Sequence, residues 1–162
     1  MRAAVIGGGI QGVSLALELA ARGVRVELLE RSDQLMQGAS RHNEGKVHLG
    51  FVYANEPTFA TARLMSRGAF AFSAALRRWL EQDLSKYAIS RPFVYAVHRD
   101  SLVDPDTLAA RYKTIGQVIL EEARSAGNDY FGVRDVQKMR RLEEGELQQR
   151  FDSDTVAAAF ES

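Results

Sequence analysis

Residues 3–30 read AAVIGGGIQGVSLALELAARGVRVELLE, and this stretch decides the fold. It begins with a continuous apolar run at residues 3–6, which is typical of a strand buried on both faces of a parallel sheet. Apolar residues then recur at helical spacing from Ile10 to Ala21, and Gly23 ends the predicted helix. A second apolar run at residues 24–30 predicts the next parallel strand. The pattern therefore indicates a β-α-β unit with a right-handed crossover.

Three glycines lie where the first strand passes into the helix. Gly7 lets the chain turn sharply, Gly9 leaves space beside the backbone, and Gly12 lets the helix pack closely on the sheet. The free N–H groups of the first helical turn, which begins at Ile10, favour an anion there. Glu30 follows Gly12 by 18 residues, at the tip of the second strand, where its carboxylate can accept hydrogen bonds from ribose hydroxyls.

These features predict a site that holds a dinucleotide by its pyrophosphate and its ribose. The carboxylate of Glu30 would repel a ribose 2′-phosphate, which argues against NADP. A tight turn between strand and helix that binds no ligand is the alternative interpretation.

Composition excludes several other classes of function. The 162 residues include 21 basic and 21 acidic side chains, so no net charge favours nucleic acid or an anionic membrane. The sequence has no cysteine, which excludes disulfides, thiolate metal sites and attachment of a cofactor through sulfur. No apolar stretch approaches the roughly 20 residues needed to span a bilayer, and the first strand begins almost at Met1. We expect a cytoplasmic protein with no metal site.

A second segment, GASRHNEGKVHLGF at residues 38–51, is dense in hydrogen-bonding groups. Ser40 and nearby backbone amides could contact a phosphate chain, and Gly45 and Gly50 would let the backbone approach a flat ring. Apolar residues alternate with other residues from Val47 to Phe51, which predicts a strand with one solvated face. An ordinary solvated loop that leads into a strand explains the same residues.

The run VIGGGIQG at residues 5–12, the pair Glu30 and Arg31, and the segment at residues 38–51 together resemble the FAD-dependent oxidoreductases of the D-amino-acid oxidase type. That superfamily includes glycine and sarcosine oxidases, glycerol-3-phosphate dehydrogenase and 2-hydroxyglutarate dehydrogenases. The resemblance implies FAD as the cofactor and a small amino or hydroxy acid as the substrate. Leu49 interrupts the His-Gly pattern of these relatives, which leaves the branch and the substrate open.

The resemblance also implies roles for particular residues. Gly7, Gly9, Ile10 and Gly12 would receive the pyrophosphate, Glu30 would bind the adenosine ribose, and Arg31 would lie beside the adenine. The segment under the flavin has as its counterparts Ala39, Ser40, Asn43, Lys46, Val47 and His48.

The implied fold is α/β: an incomplete Rossmann-like FAD-binding domain, followed by the beginning of a smaller α+β substrate domain. We expect residues 1–82 to belong to the first and residues 83–162 to the second. Family members are longer and complete the FAD site with a later strand and helix and a Gly-Asp element, which do not occur before Ser162. We therefore expect a fragment that is inactive alone, with a natural short protein as the alternative.

The rest of the chain predicts further elements. A long helix is expected from Pro57 to Gln82. One apolar stripe along it combines Met65, Phe72 and Trp79 with Ala62, Ala69 and Leu76. Residues 90–98 predict a strand. Asp104, Pro105 and Asp106 open another helix, which should end near Gly127, and residues 134–151 are expected to form a solvated helical turn region.

The catalytic residue cannot be assigned from the sequence. His48 is the one residue of the second segment that could act as a base near neutral pH, although a hydrogen-bonding or packing role is the commoner one for a lone histidine. Two other functions are also consistent with the sequence. One is an NAD-binding dehydrogenase, and the other is a dinucleotide-binding module that is inactive or depends on a partner.

Overall fold

The computed structural model describes residues 1–43, 45–82, 86, 93–127, 130–133, 135–152 and 154–162. These residues form two compact units, Met1–Val47 with Ala75–Glu81, and His48–Ala74 with Gln82–Ser162. Residues 48–74 belong to the second of these units.

The first unit contains the β-α-β arrangement. Strand β1 (Arg2–Ile6) leads into helix α1 (Ile10–Ala21), and strand β2 (Arg25–Leu29) returns parallel to β1, with Val5 opposite Leu28. Gly23 has φ +77°, so a glycine ends the helix as the sequence predicts. Helix α2 (Ala39–His42) is a single turn in the loop that follows β2.

One face of this two-stranded sheet is exposed to solvent. Val5 is buried, whereas Ile6 is 86% exposed and Leu29 is 47% exposed. Successive side chains of a strand point to opposite faces, so Ile6 and Val5 lie on different faces of β1. The expected burial of β1 on both faces therefore does not hold in this structure.

The second unit holds an antiparallel sheet and the longest helices. Helix α3 (Ala60–Leu80) begins in this unit, strand β3 (Val94–His98) follows, and helix α4 (Pro105–Ser125) is next. Strand β4 (Arg140–Arg141), helix α5 (Glu144–Arg150) and strand β5 (Val156–Glu161) complete it, and the sheet order is β3-β5-β4.

Helix α4 confirms its sequence signals. The Asp104 carboxylate accepts hydrogen bonds from the backbone N–H groups of Asp106 and Thr107, at 3.0 and 2.9 Å, and Pro105 occupies the first turn. Gly127 has φ +75° just beyond the end of the helix. The buried core of this unit surrounds Tyr112 of α4, whose ring lies 4.9 Å from that of Phe160.

Helix α3 departs from its prediction at both ends and in its buried face. It starts at Ala60 and ends at Leu80, because Phe59 and Glu81 have φ +57° and +50°. Two residues of the predicted stripe, Ala62 and Ala69, are buried as expected. The larger members of the stripe are only partly buried: Met65, Phe72, Leu76 and Trp79. The remaining buried residues of the helix are Ser66, Phe70 and Ser73.

The predicted strand at residues 47–51 is wrong. Gly50 has φ +113°, and residues 51–53 form a single 3-10 turn instead. A Cβ at Gly50 would lie 2.9 Å from the Ala62 Cα, so the backbone approaches α3 too closely for any other residue. The Ser66 hydroxyl donates a 2.5 Å hydrogen bond to the Leu49 carbonyl and holds the turn in place.

The other predictions have mixed outcomes. Residues 90–92 of the third predicted strand lie outside the described residues, and the described strand begins at Val94. The charged stretch at residues 134–151 contains α5 and the short strand β4, so it is more ordered than a solvated turn region. Residues 156–161, apolar up to Phe160, form β5, which pairs with β3 and β4.

Glu122 of α4 anchors α3 through two arginines. Its carboxylate, 10% exposed, accepts hydrogen bonds from Arg67 Nε at 3.1 Å and from Arg63 at 3.4 Å. The Arg67 guanidinium holds the pKa of the Glu122 carboxyl below its usual range.

We expect Glu122→Ala to lower the free energy of unfolding by about 2 kcal/mol, because two cations lose a buried counter-ion. Because the folded-state pKa is lowered, the stabilisation is complete above the unfolded pKa and is lost as pH falls through the folded value. Urea unfolding at pH 7 and pH 4 measures both effects. Glu121→Ala is the control, since Glu121 is 58% exposed and, within the part of the chain that the structure describes, forms an ion pair only with Arg63. Equal effects of the two substitutions would contradict this account.

Candidate functional site: a dinucleotide cradle

The turn between β1 and α1 requires glycine at its first position. Gly7 has φ +101°, a conformation that side chains disfavour, and its N–H donates to the Leu29 carbonyl at 2.8 Å. The turn thus leaves β1 while it remains hydrogen-bonded to the end of β2.

Gly12 brings the helix against this turn. A Cβ at Gly12 would lie 1.8 Å from the Gly7 carbonyl oxygen, which is far inside van der Waals contact. The atom it would meet is backbone, so no side-chain movement can relieve the overlap. The close approach predicted for Gly12 is therefore present in the structure.

Gly9 lies at the amino end of α1 with an extended backbone. Its carbonyl accepts the Val13 N–H at 2.9 Å, while its own N–H has no hydrogen-bond partner among the residues that the structure describes. The first turn of α1 contains no acidic residue. This end of the helix therefore combines a free amide donor with the positive end of the helix dipole.

Glu30 is bound to the same turn. Its Oε2 accepts a hydrogen bond from the Gly8 N–H at 2.5 Å, and its Oε1 accepts one from the Ser32 N–H at 3.0 Å. The Gly8 hydrogen bond, followed by that of Ser32, holds the pKa of the Glu30 carboxyl below its usual range. The group is ionised at neutral pH and retains lone pairs that can accept from hydroxyls.

Ser40 of α2 reaches the start of α1. Its Oγ accepts a hydrogen bond from the Ile10 N–H at 2.8 Å, and a Cβ at Gly9 would lie 3.3 Å from this oxygen. Because the oxygen is the acceptor there, the hydroxyl proton of Ser40 remains available to a ligand. The Asn43 amide donates to the Ser40 carbonyl at 2.6 Å and accepts the Gly45 N–H at 2.6 Å, which orders the chain after α2.

The structure thus brings together seven of the predicted site residues: Gly7, Gly9, Ile10, Gly12, Glu30, Ser40 and Asn43. Arg31, Ala39, Lys46 and Val47 are exposed residues of the same unit. His48 is partly buried and belongs to the second unit.

Sequence reasoning missed Gly8, Leu35 and Met36. Gly8 is buried, and a Cβ there would lie 2.6 Å from Leu35 Cδ2 and 3.0 Å from Glu30 Oε2. The Met36 N–H donates to the Gly8 carbonyl at 2.8 Å. The only sequence signal for Gly8 is its place inside a run of three glycines.

A separate groove of about 440 Å³ lies on the same sheet, lined by Arg2, Ala3, Ala4, Arg25, Val26 and Glu27. These residues occupy the beginnings of the strands, whereas ligands of open parallel sheets bind at the strand ends, where Gly7 and Glu30 lie. We therefore place the candidate site at the glycine turn and not in this groove.

The donor set fits a pyrophosphate and a ribose. The free Gly9 amide and the Ser40 hydroxyl can donate to phosphate oxygens, and the contact between Gly12 and Gly7 leaves the helix end close to the turn. Glu30 supplies the acceptor that ribose hydroxyls need. Fold and site together define a Rossmann-like dinucleotide-binding protein.

The chain belongs to the FAD dependent oxidoreductase (DAO) family, whose sequence profile matches residues 2–162. The resemblance seen in the sequence is confirmed, and FAD is the cofactor. The family therefore identifies a flavoprotein, in place of the alternative interpretation as an NAD-binding dehydrogenase.

Curated relatives agree with the family. The chain is 35% identical over 120 residues to the FAD-dependent monooxygenase FPY4 of Fusarium mangiferae, a match that covers 74% of this chain and 30% of that protein. It is 46% identical over 59 residues to glycerol-3-phosphate dehydrogenase 1 of Mycobacterium bovis, covering 36% of this chain and 11% of the relative. It is 50% identical over 48 residues to the tRNA 5-methylaminomethyl-2-thiouridine biosynthesis bifunctional protein MnmC of Pseudomonas fluorescens, covering 30% and 7%.

The chain thus spans less than a third of the length of these relatives. No solved structure matches it. Among the described residues, no helix is both long and apolar enough to cross a membrane. The same residues contain no group of three or more His, Cys, Asp or Glu side chains that could hold a metal ion.

Proposed function

We propose that the full-length protein oxidises the C–N or C–OH bond of a small amino or hydroxy acid by hydride transfer to FAD. Membership of the FAD dependent oxidoreductase family supports the redox chemistry. The similarity to a glycerol-3-phosphate dehydrogenase is compatible with a small polar substrate. The observation that carries the proposal is the arrangement of polar groups beside the glycine turn, which we call the cradle. It consists of the Gly9 amide, which has no partner among the described residues, the Ser40 hydroxyl and the Glu30 carboxylate.

We assign the pyrophosphate of FAD to the backbone of Gly7, Gly9, Ile10 and Gly12 and to the Ser40 hydroxyl. The amide donors and the helix dipole neutralise its charge. Glu30 accepts hydrogen bonds from the adenosine ribose, and Arg31 lies beside the adenine. The residues proposed to face the ribityl chain and flavin are Ala39, Asn43, Lys46, Val47 and His48.

FAD supplies a two-electron acceptor to this reaction. Bound FAD would accept the hydride of the substrate C–H bond, and loss of the proton from the adjacent N–H or O–H would leave a C=N or C=O bond. His48 is the proposed acceptor of that proton, with solvent as the alternative acceptor. The protein positions the substrate carbon against the flavin and excludes competing reactions.

We further propose that residues 1–82 form the amino-terminal part of the FAD-binding domain and residues 83–162 the start of the substrate domain. The present chain covers less than a third of its relatives, which supports the proposal that it is inactive alone.

The test is purification of the full-length protein, followed by its absorbance spectrum and titration of the apoprotein with FAD and with NAD. We expect a yellow protein that binds FAD, and substrate-dependent bleaching of the flavin under anaerobic conditions with sarcosine, glycine, glycerol 3-phosphate or 2-hydroxyglutarate. A colourless protein that is stabilised by NAD and not by FAD would overturn the proposal. Flavin binding without bleaching by any amino or hydroxy acid would support a module that is inactive or depends on a partner.

A monooxygenase is the second candidate, because a relative whose match covers 74% of this chain carries that name. Such an enzyme would consume NADH or NADPH with O₂ and would place one oxygen atom in its product. Bleaching of the flavin by NADPH, and not by any candidate substrate, would favour this function over the first.

A further inference from the structure

Gly8 is held by hydrogen bonds on both of its backbone polar groups. Its N–H donates to Glu30 Oε2 at 2.5 Å, and its carbonyl accepts from the Met36 N–H at 2.8 Å. Gly8 is buried, so both groups depend on these partners in place of water. The two partners come from different places in the sequence, one at the end of β2 and one in the loop beyond it.

The Gly8 carbonyl and the Gly9 N–H belong to the same peptide group. A peptide is planar and trans, so the direction of its carbonyl fixes the direction of its N–H. The Met36 hydrogen bond to the Gly8 carbonyl therefore also sets where the Gly9 N–H points. That N–H has no partner among the described residues, and it is the one we assign to a phosphate oxygen.

Two further observations concern the loop that supplies this hydrogen bond. Met36 has φ +64°, which a non-glycine residue adopts only when its surroundings hold it there. Leu35 Cδ2 lies 2.6 Å from the position of a Cβ on Gly8, so the Leu35 side chain covers the Gly8 backbone. The Leu35 side chain is nevertheless 46% exposed, so it contacts the glycine turn without belonging to a buried core.

We propose that the Leu35–Met36 segment is a positioning latch that orients the Gly9 amide toward the pyrophosphate of FAD. Leu35 packs on Gly8, and Met36 fixes the peptide plane between Gly8 and Gly9. The latch rests on the proposed function of the cradle as the FAD site. Both residues act through the glycine turn and have no contact with the reacting atoms.

The test uses the full-length protein and compares FAD, ADP and adenosine as ligands. We expect Leu35→Ala to weaken binding of FAD and ADP about fivefold, as for loss of one packing contact. Met36→Pro should weaken it about tenfold or more, since proline removes the donor and cannot adopt the φ of +64° at this position. Adenosine, which lacks the pyrophosphate, should bind within about twofold of wild type in both variants.

Two matched variants distinguish loss of the latch from a general loss of structure. Leu15→Ala removes a leucine of similar exposure, 51%, on α1, and Met36→Gly keeps the N–H while it tolerates the positive φ. Both should bind ADP within about twofold of wild type. Phosphorus NMR of bound ADP should shift in Leu35→Ala and stay unchanged in Leu15→Ala.

Three outcomes are decisive. Selective loss of FAD and ADP affinity supports the latch. Unchanged ADP affinity in Leu35→Ala and Met36→Pro, or equal losses for ADP and adenosine, would overturn the latch and leave the proposed function intact. A wild-type protein that binds neither FAD nor ADP would overturn the proposed function itself.

Discussion

Substitution of Gly12 by alanine is expected to lower the FAD affinity of the full-length protein by about 100-fold or more. The new Cβ would lie 1.8 Å from the Gly7 carbonyl oxygen, so the first turn of α1 must move away from the glycine turn. That movement displaces the Gly9 amide from the position assigned to the phosphate. Titration of the apoprotein with FAD, followed by flavin fluorescence, measures the loss.

Gly68→Ala is the control for this substitution. Gly68 lies inside α3, and a Cβ there meets no atom within 4 Å. Alanine is the better helix former, so we expect stability to rise by about 0.5 to 1 kcal/mol and FAD affinity to stay unchanged. If Gly12→Ala bound FAD as tightly as Gly68→Ala, the close contact between helix and turn would have no role in the site.

Glu30→Ala is the second large effect that we expect. The substitution removes the acceptor of the Gly8 and Ser32 N–H groups together with the proposed acceptor of the ribose hydroxyls. We expect FAD affinity to fall about 100-fold, and about tenfold in Glu30→Gln, whose amide oxygen keeps part of the acceptor function. Glu27→Gln, on the exposed side of β2, should leave binding unchanged.

The stability that Glu30 contributes is expected to decrease as pH falls. The pKa of the Glu30 carboxyl is lowered in the folded state, chiefly because the Gly8 N–H donates to the carboxylate. Its contribution to stability is therefore complete above the unfolded pKa and disappears as pH falls through the lowered folded value. The melting temperature of Glu30→Gln should accordingly depend less on pH than that of wild type between pH 6 and pH 3. Parallel curves for the two proteins would show that the Gly8 hydrogen bond does not stabilise the ionised form.

Several local features could be predicted from the sequence because each of them requires a particular type of residue. Gly7 and Gly23 adopt positive φ, and Pro105 follows the Asp104 cap of α4. Few residue types are favoured in conformations of this kind, so the residue found at such a position indicates the backbone geometry. The strand predicted at residues 47–51 failed because alternation alone could not reveal the contact of Gly50 with α3.

The sequence by itself determined the β-α-β order, the glycine turn, the acid at its edge and the family with its cofactor. These depend on short spacings and on backbone conformations that only certain residues permit. Only the tertiary structure decided that Glu30 binds Gly8, that Ser40 caps Ile10 and that Met36 fixes the next peptide. Such hydrogen bonds join residues 22 to 30 positions apart, and their donors are backbone N–H groups that every residue except proline possesses. The order of side chains along the sequence does not reveal these hydrogen bonds, because their donors and acceptors come together only when the chain folds.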